Sequence, residues 1–278
     1  PTFVKMGQVL STRTDSLPAP MIESLKQLRD RVKPESIDTI KVTLEAQLGE
    51  DIESIFSDFE DEPIGSGSIA QVHRAVLIET GEVVALKIQR TGIEKALAAD
   101  LEILGWLARE AHDRLEDVRP YNLPGVVAQM KRSLLTELDF TRESNFSDIF
   151  SAKNPFKEHV FAPRVFKRFT TERLLITEFV EGVSPEAFAG TTEEKKTLAR
   201  HGGESAFHQI ICNGFFHADP HPGNVIITGD GRICFIDWGM VGQLTRQMRF
   251  NLADLLKAVM ARDVEHIAYR GNRMGRHL

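Results

Sequence analysis

The chain has 278 residues, of which 42% are hydrophobic and 27% charged, the balance of an ordinary globular protein. Its net charge of -6 excludes a general affinity for nucleic-acid phosphate, which needs a basic footprint. No apolar run approaches the ~18 residues that span a bilayer, and no signal peptide is visible. Cys212 and Cys234 form no C-x-x-C pattern and read as buried thiols of a reducing compartment. The start at Pro1, without a methionine, reads as a piece of a longer protein.

In chain order, the first stretch is helical. Met21, Ile22, Leu25 and Leu28 recur at helical spacing, as do Ile37, Ile40, Leu44 and Leu48, with Pro18, Pro20 and Pro34 as punctuation. Residues 1–58 are therefore expected to form a helical N-terminal extension. The character changes at Ile64. A glycine-rich segment leads into Val72–Ile78 and Glu82–Ile88, read as two strands joined by a turn at Glu79–Gly81. Leu97, Leu101, Leu104 and Ala108 then form the apolar stripe of one helix. Val127, Met130, Leu134 and Leu138 form that of a second, opening after Pro124. Val160–Phe166 and Arg173–Phe179 return to strand-like patterns, and Gly182–Ser184 reads as a crossover. A helix over about 192–213, a loop, a short hairpin over 225–236 and a helical region over 242–270 complete the chain. The expected fold class is α+β. Its parts are the extension over 1–58, an N-lobe with inserted helices over 59–181, and a short, truncated C-lobe over 182–278.

The chemistry concentrates in His217-Ala-Asp219-Pro-His221-Pro-Gly-Asn224. An Asp and an Asn five residues apart are the catalytic-loop spacing of protein kinases, where the Asp orients the attacking hydroxyl and the Asn holds magnesium. A predicted hairpin follows and ends in Asp237-Trp238-Gly239, at the position of the kinase Asp-Phe-Gly. Two plainer readings compete: a polar surface loop before a strand, and a transition-metal site built from His217, Asp219 and His221.

Upstream, Val84-Ala-Leu-Lys87 resembles the strand lysine that meets nucleotide phosphates. Gly65, Ser66, Gly67, Ser68, Ile69 and Ala70 follow the kinase glycine-loop template, with Ala70 in place of the third glycine. Small residues there let backbone N–H groups approach phosphate closely. Such a lysine needs a carboxylate partner, and three are available. Glu102 lies on the first helix after the lysine strand, whereas Glu137 and Glu143 lie on the second. At about 100° per residue Asp139 and Glu143 share a face of that helix, with Glu137 turned away. Lys5-Met-Gly7-Gln8 is, by composition, an unremarkable helix start.

Together these residues resemble the UbiB/ADCK (AarF-like) atypical kinases. The resemblance rests on Lys5-Met-Gly7-Gln8, Ser68-Ile-Ala-Gln71-Val-His73, Val84-Ala-Leu-Lys87, Glu137-Leu-Asp139-Phe-Thr-Arg-Glu143, His217-Ala-Asp219-Pro-His221-Pro-Gly-Asn224 and Ile236-Asp237-Trp-Gly239-Met. It implies a two-lobed protein-kinase-like fold with a helical N-terminal extension, binding ATP or ADP with magnesium. It implies a lid in which Lys5 and Gln8 face Glu137 and Asp139 and cover the protein-substrate entrance, while Glu143 pairs with Lys87. Asn224 and Asp237 hold magnesium, Asp219 orients the hydroxyl, and the backbone of Glu178–Val180 meets adenine. The implied role is phosphoryl transfer, as a kinase or ATPase, in ubiquinone or other isoprenoid-lipid metabolism. The expected setting is cytoplasmic, peripheral to a membrane, and mitochondrial in a eukaryote. The implied partners are an isoprenoid lipid or quinone precursor and the membrane surface, with no nucleic acid. A non-catalytic, nucleotide-gated pseudokinase module stands as the alternative. The chain departs from the family at its nucleotide loop, glycine-rich rather than alanine-rich, and at Trp238, where phenylalanine is usual.

Overall fold

The computed structural model describes residues 33–275. The chain divides into two compact units. One runs to Ser144 and takes in Arg164–Phe179; the other comprises Asn145–Pro163 and the chain from Val180 onward.

The first unit begins with α1 (Ile37–Leu48). Ser36 caps it by accepting the Thr39 N–H, and Gly49, at φ 73°, closes it with an N–H bond to Glu45 O. Its Ile40 and Leu44 are fully buried. A single turn, α2 (Ile52–Ile55), leads directly into β1 (Phe56–Phe59). The expected helical extension therefore ends in a strand, and that strand pairs antiparallel with β3 (Ala70–Leu77). Its Phe-Ser-Asp-Phe sequence is too short to show a period, and pairing with β3 decides its state. Around β3 the sheet is antiparallel throughout: β2 (Gly65–Ser66) and β1 lie along one side, β4 (Val83–Gln89) and β6 (Leu174–Glu178) along the other.

One face of this sheet buries Ala75, Leu77, Val84, Leu86, Ile88, Leu174 and Ile176 against α1, α2 and Phe56. Strand alternation sends Lys87 to the opposite face. A second core forms where α3 (Ile93–Arg114) and α4 (Leu123–Glu137) pack through Leu97, Leu101, Leu134 and Leu138, with Ile69 inserted from the glycine-rich loop.

α4 does not run on through the Glu137–Glu143 segment as the sequence suggested. A separate helix, α5 (Phe140–Lys153), starts after a break at Leu138–Asp139. The break has visible causes. Gln89 Nε2 donates to Leu138 O, Phe140 N donates to Glu172 O, and the Asp139 carboxylate accepts the Thr141 N–H. Each captures a group that a continuous helix would use.

The second unit holds the C-terminal part of α5 and a small sheet in which β9 (Ile233–Phe235) lies between β5 (Val160–Phe161) and β8 (Val225–Ile227). The strand expected over Val160–Phe166 is thus only its first two residues. α6 (Thr192–Phe207) opens with a reciprocal capping box between Thr191 and Glu194, then widens into a π-turn over His208–Asn213. β7 (Phe215–His217) pairs with β10 (Val241–Gln243), and α7 (Arg246–Ala261) and α8 (Val264–Gly275) follow. The core of this unit stacks Phe150 on Trp238 at 4.4 Å, with Phe215, Phe235, Val160 and Ile233 around them. Cys234 is buried there as expected, whereas Cys212, in the π-turn, is exposed. Among the described residues no helix is long and apolar enough to cross a membrane.

Candidate nucleotide-handling residues

In the first unit, Lys87 Nζ donates to both carboxylate oxygens of Glu143, at 2.9 and 2.8 Å. The Glu143 side chain is 5% exposed and that of Lys87 22%. Of the three carboxylates weighed from the sequence, this is the one the lysine meets. Glu102 is exposed on α3, and Glu137, half-buried, ends α4. The ring of Phe140 adds a third support, with Lys87 Nζ 5.4 Å from its centroid. Asp139 does not share a helical face with Glu143. It heads α5, where its Oδ1 accepts from the N–H and hydroxyl of Thr141. Lys5 and Gln8 lie outside the described residues.

The glycine-rich loop is pinned rather than loose. Gly67 N donates to Ala70 O at 2.8 Å, closing the turn. Arg90 donates from Nε to Gly67 O and from Nη2 to Ser66 Oγ. Ser68, Ile69 and Ala70 are buried, and the Ile69 side chain belongs to the α3–α4 core. The Ile69 side chain is therefore not available to a ligand. At the end of β6, the N–H groups of Glu178 and Phe179 are bound to Arg164 O and Val83 O. Val180 is half-buried at the start of the second unit.

In the second unit His217 organises both acidic segments. Its Nδ1 accepts the Asp219 N–H at 3.1 Å, and its Nε2 lies 2.7 Å from Asp237 O. The first contact fixes Nδ1 as the acceptor, so the proton sits on Nε2 and is donated to Asp237 O. Burial holds the ring's pKa below the ordinary 6.5, against the raising pull of Asp237, and the imidazole is neutral. Both ring nitrogens are occupied, and His221 Nδ1 accepts from Gly223 N. The transition-metal reading of His217, Asp219 and His221 is thereby overturned, and among the described residues no group of three or more His, Cys, Asp and Glu side chains is placed to hold a metal ion.

Asn224 Nδ2 donates to Asp219 O at 3.0 Å and approaches Asp219 Oδ2 at 3.5 Å. The amide is thus oriented by its nitrogen, which leaves the side-chain oxygen as its remaining acceptor. Ile236 N donates to Asn224 O, and Asp237 Oδ1 accepts the Gly239 N–H at 2.8 Å. An amide oxygen and a carboxylate held in this way are hard oxygen donors of the kind magnesium selects. Trp238 anchors the segment: it is 1% exposed and donates from Nε1 to Phe235 O.

Gln209 and Ser205 were not apparent from the sequence. Gln209, in the π-turn, accepts the His217 N–H at Oε1 and donates to Ser205 Oγ. Nor does the sequence mark Phe140 as a support for Lys87. The available signal was polar residues falling in the buried phase of otherwise apolar elements.

A family model described as "ABC1 atypical kinase-like domain" matches residues 27–270. A relative from Arabidopsis thaliana, "Protein ACTIVITY OF BC1 COMPLEX KINASE 8, chloroplastic", is 34% identical over 284 residues, spanning 99% of this chain and 37% of its own. "Probable protein kinase UbiB" from Pseudomonas fluorescens is 35% identical over 275 residues, spanning 96% of this chain and 51% of its own. The chain therefore spans about half the length of these curated relatives or less. Among solved structures, Rv3197 of Mycobacterium tuberculosis, determined as its erythromycin complex, superposes with a TM-score of 0.70 at 28% identity, over 95% of this chain and 67% of that one.

Proposed function

Since the chain belongs to the ABC1 atypical kinase-like family, we propose that it binds ATP with magnesium and transfers the γ-phosphoryl group to water or to a hydroxyl other than a protein's. The observation that carries this reading is the ion pair of Lys87 with Glu143. An isolated strand lysine is unremarkable, whereas one held on both oxygens of a buried carboxylate is a fixed positive charge of the kind phosphoryl transfer uses.

The roles follow from the chemistry of each group. Lys87 neutralises phosphate charge, and its orientation is set by Glu143 and Phe140. Backbone N–H groups of the Gly65–Ala70 loop other than that of Gly67, which closes the turn on Ala70 O, would hydrogen-bond the phosphate oxygens. Asn224 and Asp237 would hold magnesium, which supplies charge neutralisation on the phosphates when bound. Asp219 orients the acceptor hydroxyl or water and receives its proton as the new P–O bond forms and the bond to the β-phosphate oxygen breaks. His217 touches none of the reacting atoms. It ties the Asp219 and Asp237 segments to one ring, so that their spacing is rigid.

The wider role we propose is in ubiquinone or other isoprenoid-lipid metabolism, with a lipid or quinone precursor at a membrane surface as the partner. The support is the name UbiB borne by relatives of similar sequence. A thermal-shift titration with ATP and magnesium tests the nucleotide reading. A raised melting temperature is expected, largely abolished by Lys87→Ala and by Asp237→Asn, and an unchanged curve for the unsubstituted protein would overturn it. Phosphate release, measured with and without isoprenoid phenols in liposomes, tests catalysis. Equal turnover in Asp219→Asn removes that residue from the mechanism, and ATP binding without turnover under any condition favours the gated, non-catalytic module.

A further inference from the structure

The inward face of β3 contains an anomaly. Its buried phase reads Gln71, His73, Ala75, Leu77, so two polar side chains occupy core positions, and both are 0% exposed. Burial of such groups is costly unless every donor and acceptor is used. Here the hydrogen bonds form a line. Glu35 N donates to Gln71 Oε1 at 2.9 Å, Gln71 Nε2 lies 2.8 Å from His73 Nε2, and His73 Nδ1 lies 2.9 Å from Glu60 O.

The two ends of this line are backbone groups whose roles cannot change. An N–H at Glu35 forces the Gln71 oxygen toward it and its NH2 toward His73. A carbonyl at Glu60 forces the proton of His73 onto Nδ1. The middle contact then has one direction, Gln71 donating to a bare His73 Nε2. Burial lowers the pKa of His73 from 6.5, more than the Glu60 carbonyl and Asp61 raise it, in keeping with a neutral ring. The ring also stacks on Phe59 at 5.2 Å.

What this line holds is the strap of residues 33–36, just before α1. Two further ties reach the same strap. Thr91 N donates to the Glu35 carboxylate at 3.3 Å, and Arg90 Nη2 donates to Lys33 O at 3.1 Å. Arg90 is also the residue that binds Ser66 Oγ and Gly67 O. One guanidinium therefore grips the strap and the glycine-rich loop together.

We propose that Gln71 and His73 form a one-directional latch for the strap of residues 33–36, and that Arg90 passes the state of this latch to the Ser66–Gly67 loop, so that strap and loop loosen together. Gln71, His73 and Arg90 are then positioning residues for whatever the loop binds. The arrangement couples the N-terminal side of the chain to the loop through unit-internal hydrogen bonds alone.

The test needs no nucleotide, so it is independent of the function proposed above. Amide exchange measured by NMR reads Glu35 N–H and Gly67 N–H separately, and 15N shifts of the His73 ring read its proton. In the unsubstituted protein the His73 proton is expected on Nδ1. Gln71→Leu should speed exchange at Glu35 by tenfold or more and also raise it at Gly67. In an Arg90→Met background, where Gly67 is already faster, adding Gln71→Leu should speed Glu35 but leave Gly67 where it was. Gln71→Glu keeps the acceptor for Glu35 but has nothing to donate, so the His73 ring should take a second proton while Glu35 stays protected. A ring proton found on Nε2 in the unsubstituted protein would overturn the latch. Gly67 unmoved by Gln71→Leu, or moved equally with and without Arg90, would overturn the coupling. Should Gln71→Leu fail to fold, Gln71→Glu and the ring shifts still decide the direction of the line.

Discussion

Replacing Lys87 by methionine takes away the ammonium that binds both oxygens of Glu143, whose side chain is 5% exposed. Breaking a buried pair from one side costs about 3–5 kcal/mol, and the 22% exposure of Lys87 places this case near the lower bound, about 3 kcal/mol. For a unit of this size that is a fall in Tm of roughly 6–12 °C. Glu143→Leu, the opposite break, leaves an ammonium that water can partly reach and costs about 2 kcal/mol. The double variant Lys87→Met with Glu143→Leu removes both charges and should lie within about 1–2 kcal/mol of the parent, because an apolar pair of similar volume replaces an ionic one at little net cost. The coupling energy across the cycle is therefore about 3–4 kcal/mol, read by denaturant melts of all four proteins. A second signature concerns pH. In Lys87→Met the buried carboxylate has lost this cation and is driven toward its protonated form, so its folded pKa is expected above its unfolded one. The deficit should be complete above that raised pKa and should shrink as pH falls toward 5. Additive losses in the double variant, or a Lys87→Met deficit independent of pH, would refute the reasoning.

Other expectations follow from the second unit and from the buried rings. Trp238→Phe loses the Nε1 bond to Phe235 O but keeps most of the stack on Phe150, and should cost about 1–2 kcal/mol; Trp238→Ala should cost about 3–5 kcal/mol. Because each substitution removes one of the chain's two tryptophans, the losses are read from denaturant melts followed by far-UV circular dichroism. Stability should be full above pH 6.5 and decline below it, because burial depresses the pKa of both His73 and His217 from 6.5 and the unfolded chain then binds protons that the folded one refuses. The slope is bounded by about 1.4 kcal/mol per pH unit for each ring, and His217→Asn should remove one ring's share in pH-dependent melts. Gly182→Ala should destabilise by about 2–3 kcal/mol in chemical denaturation. A Cβ there would stand 2.4 Å from Ile227 O, and the paired bonds between Val183 and Ile227 must give way.

Where sequence and structure agree, one local signal was strong and uncontested. Leu97, Leu101, Leu104 and Ala108 are the buried stripe of α3 because nothing competes with a period repeated over about three turns. The lysine strand, the Asp-Asn spacing and the hairpin were legible for the same reason: tight turns and short paired strands leave few alternatives. The failures share a different cause. β1 becomes a strand because β3 offers it a partner, although its four residues look like the tail of a helix. The break between α4 and α5 is made by Gln89 and Glu172, which lie far away in sequence. Because of it Asp139 and Glu143 lack the phase relation that one continuous helix would give them. His73 and Gln209 carry polar duties inside elements whose pattern is apolar, and a pattern reports where a side chain points but not which hydrogen bond it makes there.

The π-turn over His208–Asn213 has a bearing on what kinds of change this chain can absorb. Widening by one residue is what brings Gln209 beneath the His217 N–H while Ser205 stays in reach behind it. Deleting a single residue from that turn would leave a good α-helix, with its caps and most of its apolar contacts intact. Everything after the deletion would be rotated by about 100° relative to α6. Lineages of this chain should then tolerate exchange of side chains at 210–212 far better than any change in length. A one-residue gap there in a related sequence marks a protein whose Asp219 loop is held by some other means.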